Sequence, residues 1–271
     1  MPSQDYYDLA ENRLKAFTRS AVRTKIMLRL AKGEMAAAQL ETDMAIRGST
    51  ILHSMKELIE ENIVKRTNRN EYALTNVGMI EALLIDELVS AIVILDKHKD
   101  FWLNHDLRGM PIGMLAKIGM LAEAEIIKGD PAAILKSHEN FMTELMKSRE
   151  VFGVSPIILP DYPQAIANLV EDKSSVKLIV TKSLLGIMKQ DHRNILEDLL
   201  KNEHFELYSL NQDLKTAFTI TDKGLSLGFF RIDGSYDVAS DLICYGKLAR
   251  EWGLELFEYY QRLSNQIKII K

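Results

Sequence analysis

Two groups of side chains in this sequence have the types and spacing for chemistry. The first is Arg47, Ser49, Thr50, His53 and Lys56, followed after a short interval by Lys65, Arg66 and Arg69. Guanidinium and ammonium groups neutralise phosphates, an arginine fork pairs bidentately with a guanine edge, and short hydroxyls donate to phosphate oxygens. The set therefore suits double-stranded DNA. The second group is His105 and Asp106, joined far downstream by Asp222, Tyr236 and Asp237, as polar groups for a small-ligand pocket. Each has a structural alternative: Asp106 can cap a helix, His105 can face terminal carbonyls, and residues 222 to 237 can cap turns.

The catalytic sets are incomplete. Phosphodiesterase chemistry of the phospholipase D type uses a histidine with lysine two residues later, and none of His53, His98, His105, His138, His192 and His204 has one. His138-Glu139 opens like a zinc-binding helix, but position 142 is Met142 where the second histidine belongs. His98 and His105 lie two helical turns apart without a third ligand. Cys244 stands alone, so neither an intrachain disulfide nor a cysteine zinc cage is expected. Neither a GxGxxG run nor a Walker A loop occurs. The expectation is no catalytic residue, no metal and no cofactor.

The elements around the first group read as helix, helix, helix, hairpin, long helix. Leu9 to Phe17 and Ala21 to Ala31 are helical in pattern, a small unit spans Met35 to Leu40, and Ser49 to Glu61 carries Ile51, Leu52, Met55, Leu58 and Ile59 on one face, with Ser49 as N-cap. Ile63 to Thr67 and Glu71 to Thr75 are short β-prone runs around Asn68-Arg69-Asn70, giving a hairpin with a basic tip. Val77 to Leu103 reads as one connecting helix. This order is a winged helix-turn-helix. A helix about 10 to 12 Å across fits the roughly 12 Å major groove, and burying the apolar face of residues 49 to 61 leaves the first group outward. Charge agrees: from Arg13 to Arg69 there are 12 Lys and Arg against 6 Asp and Glu, whereas beyond residue 85 the counts are 22 and 27.

Farther on, Asp130-Pro131 predicts a helix to about Arg149. Strands are expected at Ser155 to Leu159, Val176 to Val180, Phe205 to Ser209, Thr216 to Thr221 and Leu225 to Ile232. Helices are expected at Tyr162 to Glu171, Leu184 to Lys201 and Gly246 to Leu263. Strands alternating with helices predict a largely parallel sheet, and Asp233-Gly234 adds an antiparallel edge hairpin. The fold class is α/β overall. The domains are residues 1–85 (winged helix-turn-helix), 86–104 (connecting helix) and 105–271 (α/β regulatory domain). Among 271 residues, 47% hydrophobic and 27% charged, a folded two-domain chain is expected. The most apolar stretch, Met79 to Leu95, carries Glu81, Asp86 and Glu87, so no membrane span is expected. The acidic N-terminus lacks the apolar core of a secretory signal, which points to the cytoplasm.

Several motifs carry a resemblance. Ser49 to Leu58 (STILHSMKEL), followed by Glu60-Glu61-Asn62-Ile63-Val64 and the hairpin, looks like the ArsR-type winged helix. Residues 101–111 (FWLNHDLRGMP), 152–156 (FGVSP), 160–163 (PDYP), 221–228 (TDKGLSLG), 233–237 (DGSYD) and 251–257 (EWGLELF) are similar to the archaeal methanogenesis-regulator family of transcription factors. The sequence departs at Arg108, where the resemblance implies a small polar residue. The resemblance implies an archaeal, dimeric, DNA-binding regulator whose α/β domain is phospholipase-D-like without the catalytic motif. The full reading is a one-component regulator with double-stranded DNA as partner. It is expected to be a homodimer with Leu9, Leu14, Leu84, Leu88, Ile92 and Leu95 at the seam, and to sense an unknown small-molecule effector. The alternative is a hydrolase-like α/β enzyme tethered to a partner by a winged-helix interaction module.

Overall fold

The structure is a computed structural model that describes residues 4–128, 142–158 and 161–269. The chain divides into two compact units after Val89.

The first unit contains α1 (Gln4–Arg19), α2 (Ala21–Leu30), α3 (Ala37–Met44) and α4 (Gly48–Glu60). These are followed by β1 (Val64–Arg66), β2 (Tyr72–Leu74) and the start of α5 (Asn76–Lys97). Ser20 caps α2, its hydroxyl accepting from the Arg23 N–H at 3.3 Å. Ile26, Met27 and Leu30 of α2, Leu40 of α3, and Ile51, Met55 and Leu58 of α4 form the core, closed by Ile63, Val64, Tyr72 and Leu74. The hairpin pairs Val64 with Leu74 and Arg66 with Tyr72, and Met35 adds a bridge on the other side of Tyr72.

Two expectations for α4 are corrected. Ser49 is inside the helix, and the N-cap is Arg47, whose side chain caps nothing. The Glu41 carboxylate takes over that task by accepting from the Gly48 N–H at 2.9 Å, placing a negative charge where the helix dipole favours one. Leu52 and Ile59, assigned to the buried face, are 52% and 39% exposed. Only Ile51, Met55 and Leu58 point at the core, with Ser54 beside them.

The connecting helix breaks at His98 (φ −120°, ψ 33°), so α5 is followed by α6 (Lys99–Asn104) where one helix was expected. Three hydrogen bonds hold the break. His98 Nε2 and Lys97 Nζ both donate to the Ala124 carbonyl, at 2.8 and 3.0 Å, and the Trp102 indole N–H donates to the Ile94 carbonyl at 3.1 Å.

The second unit continues with α7 (Ile112–Ala116), a 3-10 turn at Ile118–Leu121, β3 (Glu125–Lys128) and β4 (Glu150–Ser155). Next come α8 (Tyr162–Glu171), β5 (Ser175–Thr181), α9 (Lys182–Asp191), α10 (Arg193–Leu199) and β6 (Phe205–Leu210). Then follow β7 (Thr216–Thr221), β8 (Gly224–Phe229), β9 (Ser240–Tyr245), α11 (Lys247–Arg262) and β10 (Asn265–Ile267). The helix expected from Asp130-Pro131 lies mostly outside the described residues. The helix expected over 184 to 201 is two, divided at His192.

The sheet has eight strands in the order β10-β6-β5-β4-β7-β8-β9-β3. It is mixed, which corrects the largely parallel expectation. Only β4 with β5 and β5 with β6 run parallel, and the other five pairings are antiparallel. Parallel neighbours need a crossover, and α8 with the α9–α10 pair supply the two. After β6 the links carry no helix until α11, so β7, β8 and β9 meander. The Asp233-Gly234 turn forms, with Gly234 at φ +89°, but within the β8–β9 connection, where Phe230 and Tyr236 make a single bridge. It is not a sheet edge. The strand expected from Ser155 ends there instead: Pro156 brings no N–H to the ladder, and Ser155 Oγ turns the chain by donating to the Ile157 carbonyl at 2.6 Å.

One face of the sheet is covered by α11, whose Trp252, Leu256, Phe257 and Tyr260 pack with Ile220, Leu225, Leu227 and Leu242. Gly253 permits the approach, since a Cβ there would lie 2.8 Å from Ile220 Cγ1. The opposite face is covered by α8, α9 and α10 over Val151, Val176, Val180 and Leu207. Trp252 is fully buried and its indole N–H donates to the Met114 carbonyl at 3.1 Å. Trp252→Phe removes that bond, although the Lys117 N–H still donates to the same carbonyl at 3.1 Å, and is expected to cost about 0.5 to 1.5 kcal/mol. Urea denaturation followed by circular dichroism checks this, and an unchanged midpoint would contradict it.

Candidate functional site

The first unit exposes Arg47, Ser49, Thr50, His53 and Lys56 along one side of α4, with Leu52 among them. His53 and Lys56 have contacts of 3.8 and 3.9 Å with Glu57 and Glu60, one turn on. Exposed pairs of this kind are weak and easily exchanged. The hairpin sets Lys65 and Arg66 outward on β1 and Arg69 on the turn, while the Arg66 guanidinium lies 6.0 Å over the Tyr72 ring. The turn is fixed by the Thr67 N–H donating to the Glu71 carbonyl at 2.8 Å and by Asn70 in the left-handed region (φ 62°).

Ion pairs sort the charges of this unit. Arg13 pairs with Glu81 and Glu61, Arg23 with Glu61, and Arg29 with Asp43. Three of the basic residues counted in the sequence are thereby neutralised locally. Arg47, Lys65, Arg66 and Arg69 form no ion pair among the described residues, and all four are exposed.

In the second unit the five expected pocket residues are not brought into one cavity. His105 and Asp237 meet: both are buried, His105 Nε2 donates to Asp237 Oδ2 at 3.1 Å, and Nδ1 donates to the Phe101 carbonyl at 2.6 Å. Asp237 also accepts from Arg231 at 2.7 Å and from the Ala239 N–H at 3.1 Å. Burial pushes its carboxyl up, but these donors together outweigh burial and hold it below the ordinary carboxylate range. Asp106 faces a shallow cleft and accepts three bonds from Arg108, at 3.0, 2.9 and 2.7 Å. Those bonds hold its pKa near about 2 and give the unexpected Arg108 a local role. Asp222 is exposed and accepts from the Arg149 N–H at 3.1 Å, a long-range tie from the β7–β8 turn to the residue before β4, while the turn itself is capped by Thr221, whose hydroxyl accepts from the Lys223 N–H at 3.2 Å.

Tyr236 alone of the five lines a mostly apolar cavity of the second unit, about 540 Å³ in volume. It lies on the α8–α10 face of the sheet, over Gly153, Ala217 and Ser226, whose small side chains leave the space. Its polar end includes Asp241, which is not among the residues expected from the sequence. A Cβ at Gly228 would lie 2.2 Å from the Tyr236 hydroxyl and 2.7 Å from Asp241 Oδ1, so glycine is required and the two polar groups converge. Burial, and then the charge of Asp237, push the Asp241 carboxyl up to about 6. Burial, and then the Asp241 charge, raise the Tyr236 phenol as well. The available signal for Asp241 is an acidic residue opening an otherwise apolar strand, Asp241-Leu242-Ile243-Cys244. Among the described residues no three histidines, cysteines or carboxylates gather as metal ligands, and no helix is long and apolar enough to cross a membrane.

Comparison with known proteins adds the following. A family model described as the methanogenesis regulatory protein FilR1, N-terminal domain, matches residues 11–93, and one described as the middle domain of the same protein matches residues 134–263. The methanogenesis regulatory protein FilR1 of Methanothrix harundinacea (strain 6Ac) is 34% identical over 259 residues, which are 94% of this chain and 58% of that protein. The chain thus spans somewhat over half the length of this relative. Among solved structures, TrmBL2, an archaeal chromatin protein, covers 93% of this chain and 97% of its own at 15% identity and a TM-score of 0.42. Nuc, a phospholipase D family member from Salmonella typhimurium, covers 54% of this chain and 99% of its own at 11% identity and a TM-score of 0.41. Both likenesses are loose.

The Asp241 carboxyl makes a stability prediction. A folded pKa of about 6 against an ordinary 3.8 means that ionisation is harder in the folded state, so its contribution to stability falls as pH rises from near 4 through 6. Asp241→Asn should therefore melt higher than the parent above pH 7, by an upper bound of about 3 kcal/mol, and nearly equal to it at about pH 4. Thermal unfolding at both pH values checks this. Equal stabilisation at both would contradict it.

Proposed function

The chain belongs to the family of the methanogenesis regulatory protein FilR1, and from that premise we propose that it is a one-component transcriptional regulator. Its first unit is a winged helix-turn-helix of ArsR type that binds operator DNA. Its second is a phospholipase-D-like α/β domain, without catalysis, that senses a small effector. The observation that carries the reading is the charge sorting in the first unit. Internal ion pairs occupy Arg13, Arg23 and Arg29, while Arg47 and the hairpin cations stay exposed and outside any ion pair among the described residues.

In this reading α4 enters the major groove. Ser49, Thr50, His53 and Lys56 reach base edges or phosphates, Arg47 pairs with a guanine or phosphate at the helix start, and Lys65, Arg66 and Arg69 hold the flanking backbone. The Glu41 carboxylate at the α4 N-terminus keeps that end from serving as a phosphate site, which leaves phosphate contact to the side chains. Two half-sites about 34 Å apart call for two copies of the reader. Leu84, Leu88, Ile92 and Leu95 are all exposed on α5, as are Leu9 and Leu14 on α1, which supports a homodimer seam at these residues. For the effector, Tyr236 is the one residue of the expected five that lines the cavity, and His105, Asp106 and Asp237 act in holding the loop and cleft. The protein works in the cytoplasm.

Lys65, Arg66 and Arg69 replaced together by alanine should weaken binding to every duplex and lower the slope of log affinity against log salt by up to about 0.9 for each phosphate no longer neutralised, with sequence preference retained. By contrast, Arg47→Ala should relax preference at particular bases, at about 1 to 3 kcal/mol for a good bidentate pair. Gel shifts at several salt concentrations check both, and an unchanged slope in the triple variant would contradict the hairpin assignment. Light scattering should give twice the 30.8 kDa chain mass, and a monomer mass with and without DNA would contradict the dimer.

A further inference from the structure

We propose that the cavity over β7, β8 and β9 binds a small organic cation, a protonated amine carrying an apolar body, with the Asp241 carboxylate as its counter-ion and the Tyr236 hydroxyl as a second polar contact. This names the ligand class of the sensing unit and rests on the sensing reading only for its regulatory consequence.

The volume, about 540 Å³, is that of a small-molecule site, and apolar walls with a few convergent polar groups are the usual makeup of one. The walls come from Ile166, Leu178, Val180 and Leu184. Asp241 makes no hydrogen bond or ion pair to the described residues, and neither does the Tyr236 hydroxyl, whose ring packs edge-on against Phe230 at 5.3 Å. A half-buried carboxylate without a partner carries a desolvation cost. No cation among the described residues stands ready to relieve it. The charged group acting on Asp241 is Asp237, and Asp241 in turn acts on Tyr236 from the β8–β9 connection and on Tyr162 of α8. Arg231 and His105 are already bonded to Asp237. Among the described lining residues there is no lysine and no arginine, the one histidine is His192, and the carboxylates are Asp161 and Asp241. An anionic ligand would meet repulsion at the polar end, and a neutral one would leave the charge uncompensated. A primary ammonium brings a positive charge and three donors to a site that offers acceptors.

The test is isothermal titration calorimetry of the full chain above pH 7 with hexylamine and 2-phenylethylamine, against hexanol and hexanoate as neutral and anionic probes of like size. Both amines should bind at least about tenfold more tightly than hexanol, the scale of one charge-assisted hydrogen bond, and hexanoate should not bind. Asp241→Asn should lose that preference while still binding hexanol, which shows the cavity intact, and Ser226→Leu should abolish binding of every probe by filling the cavity. Amine affinity should also fall as pH drops below 6, where Asp241 takes up a proton. Hexanoate binding as tightly as hexylamine, an amine preference that survives in Asp241→Asn, or no binding of either amine would overturn the proposal. A gel shift with hexylamine present separates the two readings. Amine binding that leaves DNA affinity unchanged would uphold the site and overturn only its sensing role, whereas DNA binding without amine binding would overturn the site alone.

Discussion

The core of the second unit depends on the close seat of α11 on the sheet at Gly253, where a Cβ would stand 2.8 Å from Ile220 Cγ1 and 3.2 Å from Leu225 Cδ1. With glycine there, α11 settles against Ile220 and Leu225, and Trp252 reaches the Met114 carbonyl. The short helices after α6 are thereby drawn into the same core. Because one face is filled this way, the helices that cross between parallel strands, α8, α9 and α10, cover the other. They reach over β4, β5 and β6, and the small residues Gly153, Ala217 and Ser226 leave the cavity beside them open.

A second constraint governs the first unit. A basic surface is useful for binding only if the protein does not neutralise it, and here neutralisation is selective. The guanidinium groups of Arg13 and Arg23 are held by Glu61, Glu81 and Glu57. The cations of the hairpin keep their charge for solvent or a partner. Even the N-terminus of α4 is closed by Glu41, so the helix offers side chains more than its dipole. On the proposed function, a sensing unit joined to a DNA reader would have the parts for linkage, in which ligand and DNA change each other's affinity by one factor.

The order of elements in the first unit is legible in the sequence because its signals are local: apolar spacing in α4 and β-prone runs about an Asn-rich turn. The sheet is legible in its strands and less so in its directions. Val176 to Val180 and Thr216 to Thr221 read plainly, but the direction of β7 follows from the absence of a crossover helix. Strands β3, β9 and β10 are short edge or near-edge segments whose pairing is set by distant residues. The break at His98 escapes the periodicity because its cause, the Ala124 carbonyl, lies 26 residues away. The candidate site divides in the same way. Exposed residues on α4 follow from helical geometry alone, whereas Asp241 and Tyr236 converge only through the close approach at Gly228, which no spacing in the sequence announces. Asp222 also escapes the sequence reading: it is neither a pocket residue nor a local turn cap, and its partner, the Arg149 N–H, lies 73 residues away.

The most direct test of the account is an amide-resolved NMR titration of the full chain with duplex DNA carrying the bound operator. The account predicts that shifts concentrate in residues 47–56 of α4 and 64–70 of the hairpin, and that amides around Asp241 move little when DNA alone is added. Shifts confined to the second unit, or none in α4 and the hairpin at saturating DNA, would contradict it.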